Sequence, residues 1–204
     1  LADVNSLGTA LLNRNFKDKR IADIGKNCYQ WAVSYLAAVC GVGICVPLDK
    51  ELPAEELKQL VMDAGVSCVL LDKAYEDIFC DIRDEKDTDL ELLVNFESGN
   101  EEKDIMSFEH LIEEGQKQLA TGDRQFLDAE IDAEKMAVIL YTSGTTGVAK
   151  GVMLSHANIC NNLMGAPTFL HVTEDDIFFS VLPIHHTYEC TCGLLIPLYM
   201  GSAI

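Results

Sequence analysis

Residues 136–159 read MAVILYTSGTTGVAKGVMLSHANI, and the rest of the chain is organised around them. Met136 to Tyr141 is short, β-branched and uncharged, which predicts a buried strand. Thr142 to Ala149 cannot continue it, because Gly144 and Gly147 permit positive φ and leave room for a ligand against the backbone. Thr142, Ser143, Thr145 and Thr146 place four hydroxyls in that loop, and Lys150 closes it with a positive charge. Hydroxyls, exposed N–H groups and one ammonium at a strand end suit a polyphosphate. Gly151 to Leu154 resumes as a strand, and Ser155 is placed to cap a helix starting near His156.

A P-loop is excluded by spacing. That motif requires the lysine directly after its last glycine and a helix at once. Here Val148 and Ala149 separate Gly147 from Lys150, and a strand precedes the helix. A small-residue loop on its own is more often a plain hairpin than a nucleotide site, but the order T-S-G-T-T-G-x-x-K-G is far more particular. YTSGTTGVAKG resembles the phosphate-binding motif of the adenylate-forming (AMP-binding) superfamily, which comprises acyl-CoA synthetases, peptide-synthetase adenylation domains and luciferases.

The 204 residues carry a formal charge of −18, most of it before Lys135. No basic patch exists to neutralise phosphates, which argues against a nucleic acid or an anionic membrane surface as partner. Eight cysteines sit mostly in apolar runs without a C-x-x-C pair, the pattern of reduced core thiols in a cytoplasmic protein. Asn27 to Leu48 is uncharged and long enough to span a bilayer. Gly41, Gly43 and Pro47, with polar Asn27, Gln30 and Ser34, favour a buried helix and strand instead.

In chain order, helices are predicted over Val4–Phe16, Cys28–Val39, from Pro53 to Gly65, over Tyr75–Ile82 and over Phe108–Leu119. Strands are predicted over Arg20–Ile24, Ile44–Val46, Ser67–Leu71, Leu90–Phe96 and Ile177–Leu182. Leu57, Leu60, Val61 and Ala64 recur at helical spacing and mark a buried face. This alternation predicts an α/β fold, a layered parallel sheet with helices on its faces. Asp72 to Glu134 groups no catalytic residues and reads as an acidic, solvent-facing excursion. The chain is thus expected to divide into a scaffold, 1–135, and a motif-bearing part, 136–204.

Two further stretches resemble the same superfamily. GKNCYQW, residues 25–31, is similar to the N-x-x-x-W helix start of acyl-CoA synthetases. LAAVCGVGICVPLD, residues 36–49, is similar to a small-residue helix turning into a strand that ends in P-x-D, where glycines allow close helix–sheet contact.

In residues 182–204, His185, His186, Glu189, Cys190 and Cys192 could be taken for a metal cluster. The C-x-C spacing chelates poorly within one helix, and no distant Cys/His pair complements it. L-P-x-x-H-x-x-E resembles the superfamily's next motif, with His186 and Glu189 at the matching positions. In acyl-CoA synthetases that histidine is thought to help position the carboxylate and α-phosphate, while amino-acid-activating members usually carry a Phe-Asp type sequence. His185 and the cysteines are then packing residues.

The resemblance, strongest to the N-terminal part of a bacterial long-chain fatty acyl-CoA synthetase, implies ATP-dependent activation of a medium- or long-chain fatty acid through an acyl adenylate. It implies ATP, Mg²⁺ and CoA as partners of the reaction. His186 is the implied catalytic residue, and Thr142, Ser143, Gly144, Thr145, Thr146, Gly147, Lys150 and Glu189 would hold the nucleotide. The superfamily's adenine, magnesium, ribose and C-terminal lysine positions have no counterpart here, so this piece by itself is expected to be inactive. A peptide-synthetase or luciferase-like adenylate former, or an ATP-binding module without catalysis, are the alternatives.

Overall fold

The computed structural model describes residues 1–85, 87–142, 149–169 and 171–204. Among the described residues, seven strands run in chain order: β1 (Arg20–Ile24), β2 (Ile44–Pro47), β3 (Val66–Leu71), β4 (Leu92–Asn95), β5 (Ile105–Ser107), β6 (Met136–Thr142) and β7 (Lys150–Ser155). They form one sheet in the order β5-β4-β3-β1-β2-β6-β7. Every described pairing between these strands is parallel except β6 with β7.

The α-helices that accompany the sheet are α1 (Ala2–Asn13), α2 (Tyr29–Ala37), α3 (Ala54–Ala64), α4 (Glu76–Arg83), α5 (Phe108–Ala120), α6 (His156–Gly165) and α7 (Ile196–Met200). Successive strand side chains point to opposite faces, and two cores result. Ile21, Cys45, Leu70 and Val94 pack with α1, α2 and α5 on one face. Ala22, Val46, Val69 and Leu93 pack with α3 and α4 on the other. Burial on both faces explains why β3 is an unbroken apolar run apart from Ser67.

The predicted α/β layering is therefore present, with helix ends close to those expected. Gly65 closes α3 in the left-handed conformation. The Ser155 hydroxyl accepts from the Asn158 N–H at 3.3 Å, and the Asn158 carbonyl oxygen accepts from the Ser155 N–H at 3.0 Å, a reciprocal cap. Beyond α2 the chain takes a π-helical turn over Ala38–Val42. Gly43 then lies against the Lys19 carbonyl so closely that a Cβ would overlap it, the close backbone contact expected of these glycines.

Three expectations are corrected. Asp72 to Glu134 is more than a solvent-facing excursion: the helices and strand expected there form α4, α5 and β4, β5 is added, and Phe79, Leu93 and Leu111 are fully buried. Ile177–Leu182 forms no strand: among the described residues its backbone makes one bridge, Ile177 to Ala203, and Ile177, Phe179 and Val181 are exposed. The eight cysteines are all free, but only Cys45, Cys68 and Cys190 are buried, and Cys40 and Cys160 are exposed. Among the described residues, no helix is long and apolar enough to cross a membrane.

Candidate active site

Thr142 ends β6 and Lys150 begins β7, and the two face each other across the antiparallel ladder, both exposed. They mark the two ends of the T-S-G-T-T-G-x-x-K segment. Ser143, Gly144, Thr145, Thr146 and Gly147 lie outside the described residues. One step down the ladder, the Tyr141 hydroxyl donates to the Asp63 carboxylate at 2.5 Å, which ties the hairpin stem to α3. Burial, then the hydrogen bond and charge of Asp63, push the Tyr141 phenol well above its ordinary range, so it stays protonated as the donor.

The histidine motif approaches from the other end of the chain. Its entry, residues 180–184, runs beside the loop that follows β1. There the Asn27 amide nitrogen donates to Ser180 Oγ and to the Leu182 carbonyl, each at 2.8 Å. The Asn27 carbonyl oxygen accepts from the Ile184 N–H at 3.0 Å. Ile184 is buried in the core shared with α1, α2 and α5. His185 follows, with Nε2 at 3.3 Å from Asp49 Oδ1, just past the end of β2.

His186 is exposed. Its Nδ1 accepts from the Tyr188 N–H at 3.2 Å. A neutral imidazole that accepts at Nδ1 carries its hydrogen on Nε2, so the free end of His186 is a donor suited to an anionic oxygen. Glu189 points the other way. It is 5% exposed, and a Cβ at Gly193 would overlap its carboxylate, so the glycine makes room for it. Glu189 Oε1 has no hydrogen-bond partner among the described residues. The two motif residues are thus separated, one on the open surface and one in the wall.

A small apolar cavity of about 20 Å³ joins the two parts of the site. Leu140 of β6, Leu154 of β7 and Ile159 of α6 form one side, and His185, Thr187 and Cys190 the other. Burial pushes the Cys190 thiol up to about 12, against a hydrogen bond with Tyr35, so it packs as an uncharged thiol.

Among the described residues, no group of three or more His, Cys, Asp or Glu could hold a metal ion. The side chains that cluster in sequence diverge in space: His185 turns to Asp49, His186 to the surface, and Glu189 and Cys190 inward. A lone buried carboxylate oxygen on Glu189 does not make a magnesium site, and no step is assigned to Mg²⁺ through these residues.

Three residues of the site carry no signal of their own in the sequence. Asn27 is visible there only as part of a helix start, and Asp49 only as the end of P-x-D. Asp63 lies on a polar helix face with no motif around it.

The family model of AMP-binding enzymes matches residues 1–204, and the chain belongs to that family. It is 26% identical over 193 residues to the mitochondrial malonate–CoA ligase of Bos taurus, covering 95% of this chain and 30% of that protein. It is 29% identical over 217 residues to long-chain-fatty-acid–CoA ligase 5 of Rattus norvegicus, covering 96% of this chain and 32% of that protein. The chain therefore spans about a third of the length of these relatives. The anthranilate CoA ligase AuaEII, solved in complex with anthranoyl-AMP, superposes with a TM-score of 0.86 at 21% identity, covering 99% of this chain and 38% of that one. At that identity the likeness establishes the fold.

Proposed function

We propose that this chain forms the phosphate-binding hairpin and the acid-facing wall of an AMP-forming acid–CoA ligase, with a medium- or long-chain fatty acid as substrate. The observation that carries the reading is the shared cavity: the stem of the T-S-G-T-T-G hairpin and the histidine segment form its two sides. A donor on His186 and a cation on Lys150 are thereby built onto one packed unit.

The first half-reaction joins two anions. A carboxylate oxygen attacks the α-phosphorus of ATP, the bond from that phosphorus to the bridging oxygen breaks, and pyrophosphate leaves. The Lys150 ammonium and the hairpin hydroxyls offset the charge that gathers on the leaving phosphates. The Nε2–H of His186 holds a carboxylate or α-phosphate oxygen in line, and positioning supplies much of the acceleration. In the second half-reaction the CoA thiol attacks the acyl carbonyl and AMP departs.

The choice of a fatty acid rests on the resemblance of residues 182–189, L-P-x-x-H-x-x-E, to the acyl-CoA synthetase motif. The test is ATP–pyrophosphate exchange on the full-length protein with acetate through palmitate, malonate and several amino acids. Exchange that depends on fatty acids supports the proposal. Exchange with malonate alone replaces the substrate, and exchange with amino acids alone moves the protein to the peptide-synthetase branch. ATP binding without exchange on any acid overturns the enzymatic reading.

A further inference from the structure

We infer that Asn27 is a positioning residue for His186, holding the histidine segment from the opposite end of the chain. This rests on the acid-activating reading above. Asn27 lies in the loop between β1 and α2, and its partners Ser180, Leu182 and Ile184 are more than 150 positions away. The orientation of the amide is dictated by those partners. The Leu182 carbonyl only accepts, so the NH₂ group faces it, and the Ile184 N–H only donates, so the carbonyl oxygen faces that. Both hydrogens on Nδ2 and one lone pair on Oδ1 are used.

No other side chain of this size offers that set. Aspartate loses both donors and sets a carboxylate against the Leu182 carbonyl. Alanine or leucine leaves all three groups without their partner. Glutamine adds a methylene and displaces the amide. The segment cannot satisfy its own backbone through the sheet, because residues 178–184 form no strand. Asn27 therefore substitutes for a ladder at this point.

Four residues place the imidazole once the entry is held. Ile184 anchors in the core, His185 rests on Asp49, and the Tyr188 N–H holds Nδ1 of His186. Releasing Asn27 frees the segment at its start while leaving the β6–β7 hairpin, paired through its own ladder, in place. The expected effect thus falls on the carboxylic acid and not on ATP.

The experiment is pyrophosphate exchange on the full-length protein with Asn27→Ala and Asn27→Asp, measured against both substrates and accompanied by Tm. For either variant, kcat/KM for the acid should fall by about 10- to 100-fold, the loss expected when two or three hydrogen bonds go. KM for ATP should stay within about twofold. Ser180→Ala removes one bond of the three and should cost less than about fivefold. Equal losses toward both substrates, or an unchanged acid dependence, overturn the inference. If Asn27→Ala is insoluble, Asn27→Asp and Ser180→Ala carry the comparison, and equal losses toward acid and ATP in those two overturn it in the same way. Absence of exchange in the wild type would instead overturn the acid-activating reading itself.

Discussion

His185 and Asp49 meet with Nε2 at 3.3 Å from Oδ1, joining the histidine motif to the loop after β2. Two influences oppose each other at this imidazole. Burial disfavours its charged form, the nearby Asp49 carboxylate favours it, and burial is the larger, so the pKa falls below the ordinary histidine value. His185 is then a neutral N–H donor to Asp49 near neutral pH.

The sign of the pH dependence follows. Between the lowered folded value and about 6.5, the unfolded chain binds a proton that the folded chain does not, so stability falls as pH drops through that window. His185→Gln removes this contribution. Urea midpoints at pH 7.5 and 5.5 should show a smaller acid loss for the variant than for the wild type. An identical acid loss would refute the assignment.

Asp23 in β1 is 0% exposed, and its Oδ2 accepts from the Cys45 thiol at 3.5 Å. Burial raises its carboxyl well above the ordinary range, with the thiol acting in the other direction. The unfolded chain ionises above about 3.9 while the folded chain keeps its proton, so folding loses stability as pH rises from that value toward the folded one. Asp23→Asn should gain in Tm relative to the wild type as pH is raised from 5 to 8. A constant difference across that range would show that Asp23 does not titrate in this way.

Gly115 brings α5 onto α1. A Cβ there would overlap the Ser6 carbonyl, which belongs to backbone and cannot swing away. Gly115→Ala should cost about 2–4 kcal/mol and lower Tm by roughly 5–15 °C. Gly165, at the end of α6, has nothing within 4 Å of the place a methyl would take, so Gly165→Ala should change Tm by at most a few degrees. Equal effects at the two sites would contradict the packing described.

Lys150 is the cation at the mouth of the hairpin. Lys150→Ala should reduce exchange by about 100-fold through charge lost at the leaving phosphates, with Tm nearly unchanged because the side chain is exposed. Lys150→Arg keeps the charge but not the compact ammonium, and should recover part of the rate. Full activity in Lys150→Ala would remove this residue from the site.

Much of the fold is legible in the sequence because β1 to β4 are buried on both faces. Val66–Leu71 is a continuous apolar run bounded by Gly65 and Asp72, which leaves little choice of assignment. β5 is hidden because three residues beside a charged turn carry no period. Ile177–Leu182 has strand composition, but among the described residues its pairing is a single bridge to Ala203, and composition alone does not supply a ladder. The direction of β7 is equally hidden, since side-chain alternation is the same in parallel and antiparallel strands. At the candidate site, local order singles out Thr142, Lys150 and His186 as proposals, whereas Asn27 and Asp49 contact residues far along the chain. No local pattern encodes a contact of that range.

The mixed direction of the sheet also bears on the order in which the molecule assembles. β6 and β7 are joined by a short connection, whereas β6 meets β2 through Cys45 and Val138, with β3, β4 and β5 between them along the chain. Local hairpins close in microseconds, while distant parallel pairings wait on loop closure. The hairpin can therefore exist before the sheet that supports it, and docking onto β2 becomes the late step. The β6–β7 stem is then a free ribbon first and gains its fixed orientation when it docks onto β2.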